Sequence, residues 1–168
     1  LAMGGLENGL VNLINGLPAE RYRHAVICLD GYTAFAERIQ RADVDLYALN
    51  KPPGLGLGTQ VRLWRLLRRL QPDIVHSRNL AALECQLASA LSGVPVRIHG
   101  EHGRDVSDLD GSSIKYRRIR KAFSPCVHHY VALSRYLANY LSDGVGIAPD
   151  RMTQLYNGVD TRRFRPGR

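Results

Sequence analysis

The 168-residue chain reads as α/β, a doubly wound parallel sheet with helices on both faces. Three observations predict this. Short runs rich in β-branched or aromatic residues recur along the chain. Segments with the apolar spacing of helices separate them. The two kinds alternate strictly from end to end, so successive strands are joined by right-handed crossovers and lie parallel, the Rossmann-like arrangement.

Taken in order, MGGLENGL places Gly4 and Gly5 ahead of a helix over Leu6 to Leu17. HAVICL (His24 to Leu29) is a strand, Phe35 to Arg41 a short helix, and DLYAL (Asp45 to Leu49) a second strand. A helix over Gln60 to Leu70 is stopped by Pro72, and DIVHS (Asp73 to Ser77) follows as a strand. The next helix spans Leu80 to Leu91, where Gly93 and Pro95 separate it from VPVRIH (Val94 to His99). Gly100 to Ser113, GEHGRDVSDLDGSS, is the one long irregular segment. It follows a strand end, where such sheets hold their ligands. A helix over Ile114 to Phe123, the strand HHYVALS (His128 to Ser134), a helix over Tyr136 to Leu141 capped by Ser134, and the strand MTQLY (Met152 to Tyr156) complete the alternation.

Composition narrows the function classes. The length and the 45% hydrophobic content suit one sizeable core. A formal net charge of +8 favours an anionic partner. Cys28, Cys85 and Cys126 form neither a disulfide framework nor a metal knuckle, which fits a reducing cytoplasm. No apolar run approaches the roughly 18 residues of a spanning helix. No helix-turn-helix, zinc or RNP signature supports nucleic acid as a partner.

Four places can carry chemistry. In MGGLENGL the glycines allow close backbone approach to a ligand, and the helix that follows offers free N–H groups to an anion. The same stretch is also a plain strand-to-helix turn. HGEHGRD gathers His99, Glu101, His102, Arg104 and Asp105 after a strand; metal ligation is disfavoured by the spacing, and a solvated polar loop is the bland alternative. In HSRNL, Arg78 pairs either with an anionic substrate group or with Glu84. Two helices are basic, VRLWRLLRRL (Val61 to Leu70) and IKYRRIRKAF (Ile114 to Phe123); the second sets Lys115, Arg117, Arg118, Arg120 and Lys121 beside the apolar stripe Ile114, Tyr116, Ile119 and Phe123. That pattern reads as a solvated face over a core-packed stripe, or as a face for an anionic membrane.

MGGLENGL, PDIVHSRN, VPVRIHGEHGRD, VALSRYLANYL and above all LYNGVDTRRFRP carry a resemblance to the N-terminal domain of retaining GT-B glycosyltransferases, specifically glycosyltransferase family 4. It covers essentially the whole chain. The loop GEHGRD continuing through DLDGSS resembles the sugar transferases of bacterial exopolysaccharide clusters, including those associated with the PEP-CTERM/exosortase system. The resemblance implies an acceptor-side domain over residues 1–160 whose first strand is truncated. Residues 161–168 then open the interdomain linker, and the donor-binding domain, with its E-x7-E glutamates, lies outside this chain.

The implied donor is a nucleotide-sugar and the implied acceptor a glycan or a lipid-linked sugar, with no cofactor and no metal. His102 matches the histidine that touches the reacting sugar, with His99 as the second candidate. Gly4, Gly5, Glu7, Arg78, Arg104, Asp105 and Asn157 match substrate-binding positions. Arg78 stands where relatives often have histidine, which removes a proton relay there. The expected location is the cytoplasm, peripheral on the inner face of the cell membrane, with an anionic membrane surface as a further partner. A sugar-nucleotide 2-epimerase and a non-enzymatic membrane- or polymer-binding half-domain are the alternatives. A nicotinamide dehydrogenase is disfavoured by the G-G-x-x-x-G spacing.

Overall fold

A computed structural model describes residues 4–52, 56–103 and 108–158. Its elements are α1 (Gly5–Gly16), β1 (Ala25–Cys28), a 3-10 turn (Ala34–Arg38), β2 (Asp45–Ala48), α2 (Leu57–Leu70), β3 (Ile74–Arg78), α3 (Asn79–Leu83), α4 (Cys85–Leu91), β4 (Val96–Glu101), α5 (Ile114–Phe123), β5 (His129–Ala132), α6 (Arg135–Asn139) and β6 (Met152–Gln154). Every strand expected from the sequence forms, and every described strand pair is parallel.

The strands fall into two ladders, β1-β2 and β3-β4-β5-β6. Among the described residues β1 and β3 do not pair, so the single sheet expected from the alternation appears as two parallel pieces. The expected helix over Leu80 to Leu91 is broken at Glu84 into α3 and α4. The segment Phe35 to Arg41 winds as 3-10 rather than α, with the Thr33 side chain accepting from the Phe35 N–H. α6 runs into a wide π-turn over Tyr140–Val145, which closes at Gly146 with φ of 79°.

Local signals explain the helix ends. Ser134 accepts from the Leu137 N–H and Ser113 from the Tyr116 N–H, each satisfying a backbone donor that a helix leaves unpaired. α2 ends at Gln71 in the left-handed region, and Pro72 cannot continue it.

Three apolar clusters form the interior. Leu83, Val127, Tyr130, Leu137 and Leu141 fill the space between β5, α3 and α6. Leu49, Leu63, Leu66, Leu67, Cys85 and Ala88 bind α2 to α4. Ile14 of α1 packs on Val26 and Cys28 of β1. A shallow hollow of about 290 Å³ opens between Leu67, Arg68, Pro72, Asp73 and Gly93. It lies where β3 begins, at the opposite edge of the sheet from the strand carboxyl ends.

Candidate functional site

The candidate residues separate along β4 by the two-residue period of a strand. β4 runs on through Glu101, two residues past the expected strand end at His99. His99 and Glu101 therefore project to one face, and Gly100 and His102 belong to the other.

The buried face holds a polar chain. His99 is 0% exposed; its Nδ1 lies 2.8 Å from Ser77 Oγ, and its ring meets Tyr130 edge-on. Gln86 Nε2 donates to Ser77 Oγ at 2.6 Å and to the Ile98 carbonyl at 2.8 Å. His99 Nε2 faces Glu101 Oε1 at 3.5 Å, an electrostatic contact too long for a strong hydrogen bond. Glu101 receives both arms of Arg120, Nε to Oε1 at 2.7 Å and Nη2 to Oε2 at 3.2 Å. Burial pushes the Glu101 carboxyl up, but the contacts from His99 and Arg120 outweigh it and hold the group below the usual carboxylate range.

Two expectations are corrected by this chain. His99, expected at the substrate, does not reach the surface; strand alternation turns it inward onto Ser77 and Tyr130. Arg120 does not face a membrane: it is 2% exposed, because a carboxylate buried at the end of β4 requires a cation against it. The rest of α5 shifts accordingly. Ile114, expected in the core, is 64% exposed. Arg117 donates to the Gly111 carbonyl, Lys121 donates to the Gly146 carbonyl, and Lys115 and Arg118 are exposed.

The open face carries the candidate site. Arg78 pairs in register with Gly100, and His76 lies two residues before Arg78 on the same side of β3. A Cβ on Gly100 would stand 2.7 Å from His102 Nε2 and 2.9 Å from His76 Nε2, so the two imidazoles converge over this glycine. Their ring centroids are 6.4 Å apart. The backbone N–H of His102 donates to Asn79 Oδ1 at 2.8 Å, and Asn79 sits in the left-handed region with φ of 58°. Both ring nitrogens of His102 are enclosed without a hydrogen-bond partner among the described residues.

Burial, then the charges of Arg78 and His99, push the His102 ring down to about 4 against an opposing pull from Glu101. It is a neutral imidazole at pH 7, able to donate from one nitrogen and accept at the other. Burial, Arg78, His102 and His99 lower His76 as well; its solvent-open edge moderates the effect.

α1 completes the edge. Arg78 Nη1 reaches the Leu6 carbonyl at 3.5 Å, and Glu7 sets a negative field at the guanidinium. Glu84, the other partner considered for Arg78, pairs instead with Lys51 at 2.9 Å. Gly4 is extended, with φ of −164°, and caps α1. A Cβ there would stand 2.4 Å from Glu7 Oε2, so the Glu7 carboxylate is folded back over the helix N-terminus, where the dipole favours negative charge. Gly5 opens onto empty space, with nothing within 4 Å of where its Cβ would stand. Asn157 Oδ1 lies 4.0 Å from the corresponding point on Gly9, which brings the segment after β6 to the same helix.

Gly4, Gly5, Glu7, Arg78, His102 and Asn157 thus gather at the strand carboxyl ends, while Arg104 and Asp105 lie outside the described residues. His76, Asn79 and Gly100, which fall within HSRNL and HGEHGRD, complete the geometry but were not singled out as site residues. Their signals were present: a glycine within a strand marks close approach, and Asn is the residue other than Gly that best tolerates the left-handed region. Among the described residues no group of three or more His, Cys, Asp and Glu side chains could hold a metal ion, and no helix is long and apolar enough to cross a membrane.

Comparisons with known proteins bear on the family and the fold. The fold matches Anabaena Alr3699/HepE, solved in complex with UDP and glucose, with a TM-score of 0.68 and 19% identity over 95% of this chain and 42% of that one. An Escherichia coli UDP-Gal:alpha-D-GlcNAc-diphosphoundecaprenol alpha-1,3-galactosyltransferase is 25% identical over 109 residues, 63% of this chain and 28% of the relative. The chain therefore spans less than half the length of either. The model of Glycosyltransferase Family 4 matches residues 3–163, nearly the whole chain, and the chain belongs to that family.

Proposed function

We propose that the protein transfers a sugar, with retention, from a nucleotide-sugar donor to a glycan or lipid-linked acceptor in bacterial polysaccharide biosynthesis, and that this chain supplies the acceptor-side half of the site. The observation that carries the reading is the convergence of His102 and His76 over Gly100, with Arg78 in register beside it and reaching the first turn of α1. The family match and the E. coli relative, whose acceptor is linked to diphosphoundecaprenol, support the substrate classes.

In the reaction the bond from the anomeric carbon to the diphosphate oxygen breaks and the bond to the acceptor oxygen forms on the same face. The acceptor proton passes to the leaving diphosphate, so no side chain of this domain acts as an obligatory base. His102, neutral and with both nitrogens enclosed but unpaired among the described residues, turns its ring toward the cleft to hydrogen-bond a sugar hydroxyl as positive charge develops at the anomeric carbon. Arg78 attracts the donor's negative charge, and Gly5 admits a ligand against the backbone. Glu7, folded over the α1 N-terminus, must swing aside for an anion to occupy that position. The enzyme works from the cytoplasmic side of the membrane, where lipid-linked acceptors are reached.

The test is His102→Ala in the enzyme, with transfer and donor affinity measured separately. Transfer is expected to fall at least about 100-fold, as when one transition-state hydrogen-bonding group is lost, with donor affinity largely kept. Unchanged transfer would overturn the assignment, since the buried His99 cannot substitute. Release of epimerised donor without a glycosylated product would favour the epimerase reading instead.

A further inference from the structure

We infer that the outer face of α2 and α4, rather than the basic helix α5, is the surface that seats this protein on an anionic phospholipid bilayer. On α2 the inward stripe is Leu63, Leu66 and Leu67. The opposite stripe carries Leu57, Val61 and Trp64, all exposed, at helical spacing. Leu87 and Leu91 extend it on α4, and the Trp64 indole N–H donates to the Leu91 carbonyl at 3.3 Å, which ties the two helices into one ridge. Leu91 is 69% exposed, so the ridge is open where the helices meet.

The charge pattern selects the occupant. Arg65 follows Val61 by one turn, and Arg68 follows Trp64 by one turn, so exposed cations interleave with the apolar side chains on the same stripe. α2 contains no acidic residue. A stripe of cations with no acidic residue among them is complementary to an anionic surface, and a bilayer takes the apolar and cationic components at different depths. Apolar side chains enter the acyl boundary while guanidinium groups extend to lipid phosphates. Trp64 suits the junction, with an apolar ring and one polar N–H. On α5, by contrast, Arg120 is buried and Arg117 and Lys121 are held on backbone carbonyls.

The inference rests on the membrane-linked acceptor in the proposed function and deepens it by naming the contact. Its test needs neither donor nor acceptor, so its failure leaves the transfer reading standing. Trp64 is the chain's single tryptophan, and its fluorescence reports on the ridge itself. With phosphatidylglycerol-containing vesicles we expect a blue shift, protection from acrylamide and co-sedimentation, none of which pure phosphatidylcholine produces. The double variant Arg65→Glu/Arg68→Glu should weaken partitioning at least about tenfold, from about 1 kcal/mol for each cation near the surface. Lys115→Glu/Arg118→Glu on α5 should leave it nearly unchanged. The proposal is overturned by no Trp64 shift with anionic vesicles, by loss of binding in the α5 variant alone, or by a concentration-dependent Trp64 shift without vesicles, which would assign the ridge to a second copy of this chain.

Discussion

Replacing Arg120 by Ala tests the claim that the floor of the site rests on a buried ion pair. Among the described residues, the substitution leaves the Glu101 carboxylate, 1% exposed, with only the 3.5 Å contact to His99. Removing one partner of a buried pair costs about 3–5 kcal/mol, because the remaining charge loses its hydration and gains nothing in return. For a domain of this size each kcal/mol lowers the melting temperature by about 2–4 °C, so the expected drop is about 6–20 °C. Urea unfolding at pH 7 followed by Trp64 fluorescence, together with thermal melts by circular dichroism, measures both.

Two further variants and a pH series separate mechanism from general damage. Arg118→Ala, on the exposed side of the same helix, should stay within about 0.5 kcal/mol of the parent. Replacing the pair together, Glu101→Leu with Arg120→Met, should recover most of the loss, since an apolar pair leaves no orphaned charge. The sign with pH follows from the depressed Glu101 value. Its contribution is complete above the unfolded value of 4.5 and is lost as pH falls through the folded value. The gap between parent and Arg120→Ala should therefore narrow below about pH 4.5. A loss under about 1 kcal/mol at pH 7 would refute the reasoning, as would a double variant no better than Arg120→Ala.

Other consequences can be checked more directly. Gly100→Ala puts a methyl group within 3 Å of both His102 Nε2 and His76 Nε2, so it should displace the rings and abolish most transfer while the protein stays folded; circular dichroism and the transfer assay decide. In a histidine-resolved NMR titration His102 should take its proton near pH 4 rather than 6.5. An imidazole depressed in this way leaves stability intact above pH 6.5 and draws it down as pH falls toward 4; a midpoint near 6.5 would refute the depression by burial. Asn79→Gly deletes the acceptor for the His102 N–H while keeping the left-handed backbone, so it should lower the transfer rate with little change in unfolding free energy. With a thiol reagent Cys126, only half-buried, should react before Cys28 and Cys85; burial pushes the Cys85 thiol up to about 12.

The alternation of strands and helices was legible because it depends on local matters: apolar period, the helix cap at Ser134, and breakers at Pro72 and Gly93. Those signals act within one or two turns, so they survive in one dimension. The gathering of Gly4, Glu7, Arg78, His102 and Asn157 at one edge also follows from parallel strands, which send every strand-to-helix loop to the same side.

Tertiary structure decided which face each of these groups took. In HGEHGRD the histidines and glutamate form one cluster by composition, yet β4 continues through Glu101 and its pleat divides them. His99 and Glu101 go to Ser77 and Arg120; His102 goes with Gly100 to the open side. Where a strand ends depends on its neighbours' ladders, here β3 and β5, and no local signal encodes that. The same holds for α5, whose arginines are equivalent by spacing until one meets a buried carboxylate. Sequence alone thus determined the class of fold and the edge that carries the site, by local periodicity. The non-local demand that buried charge be matched decided which of the two histidines lies on the open face of β4 and which arginine is taken into the core.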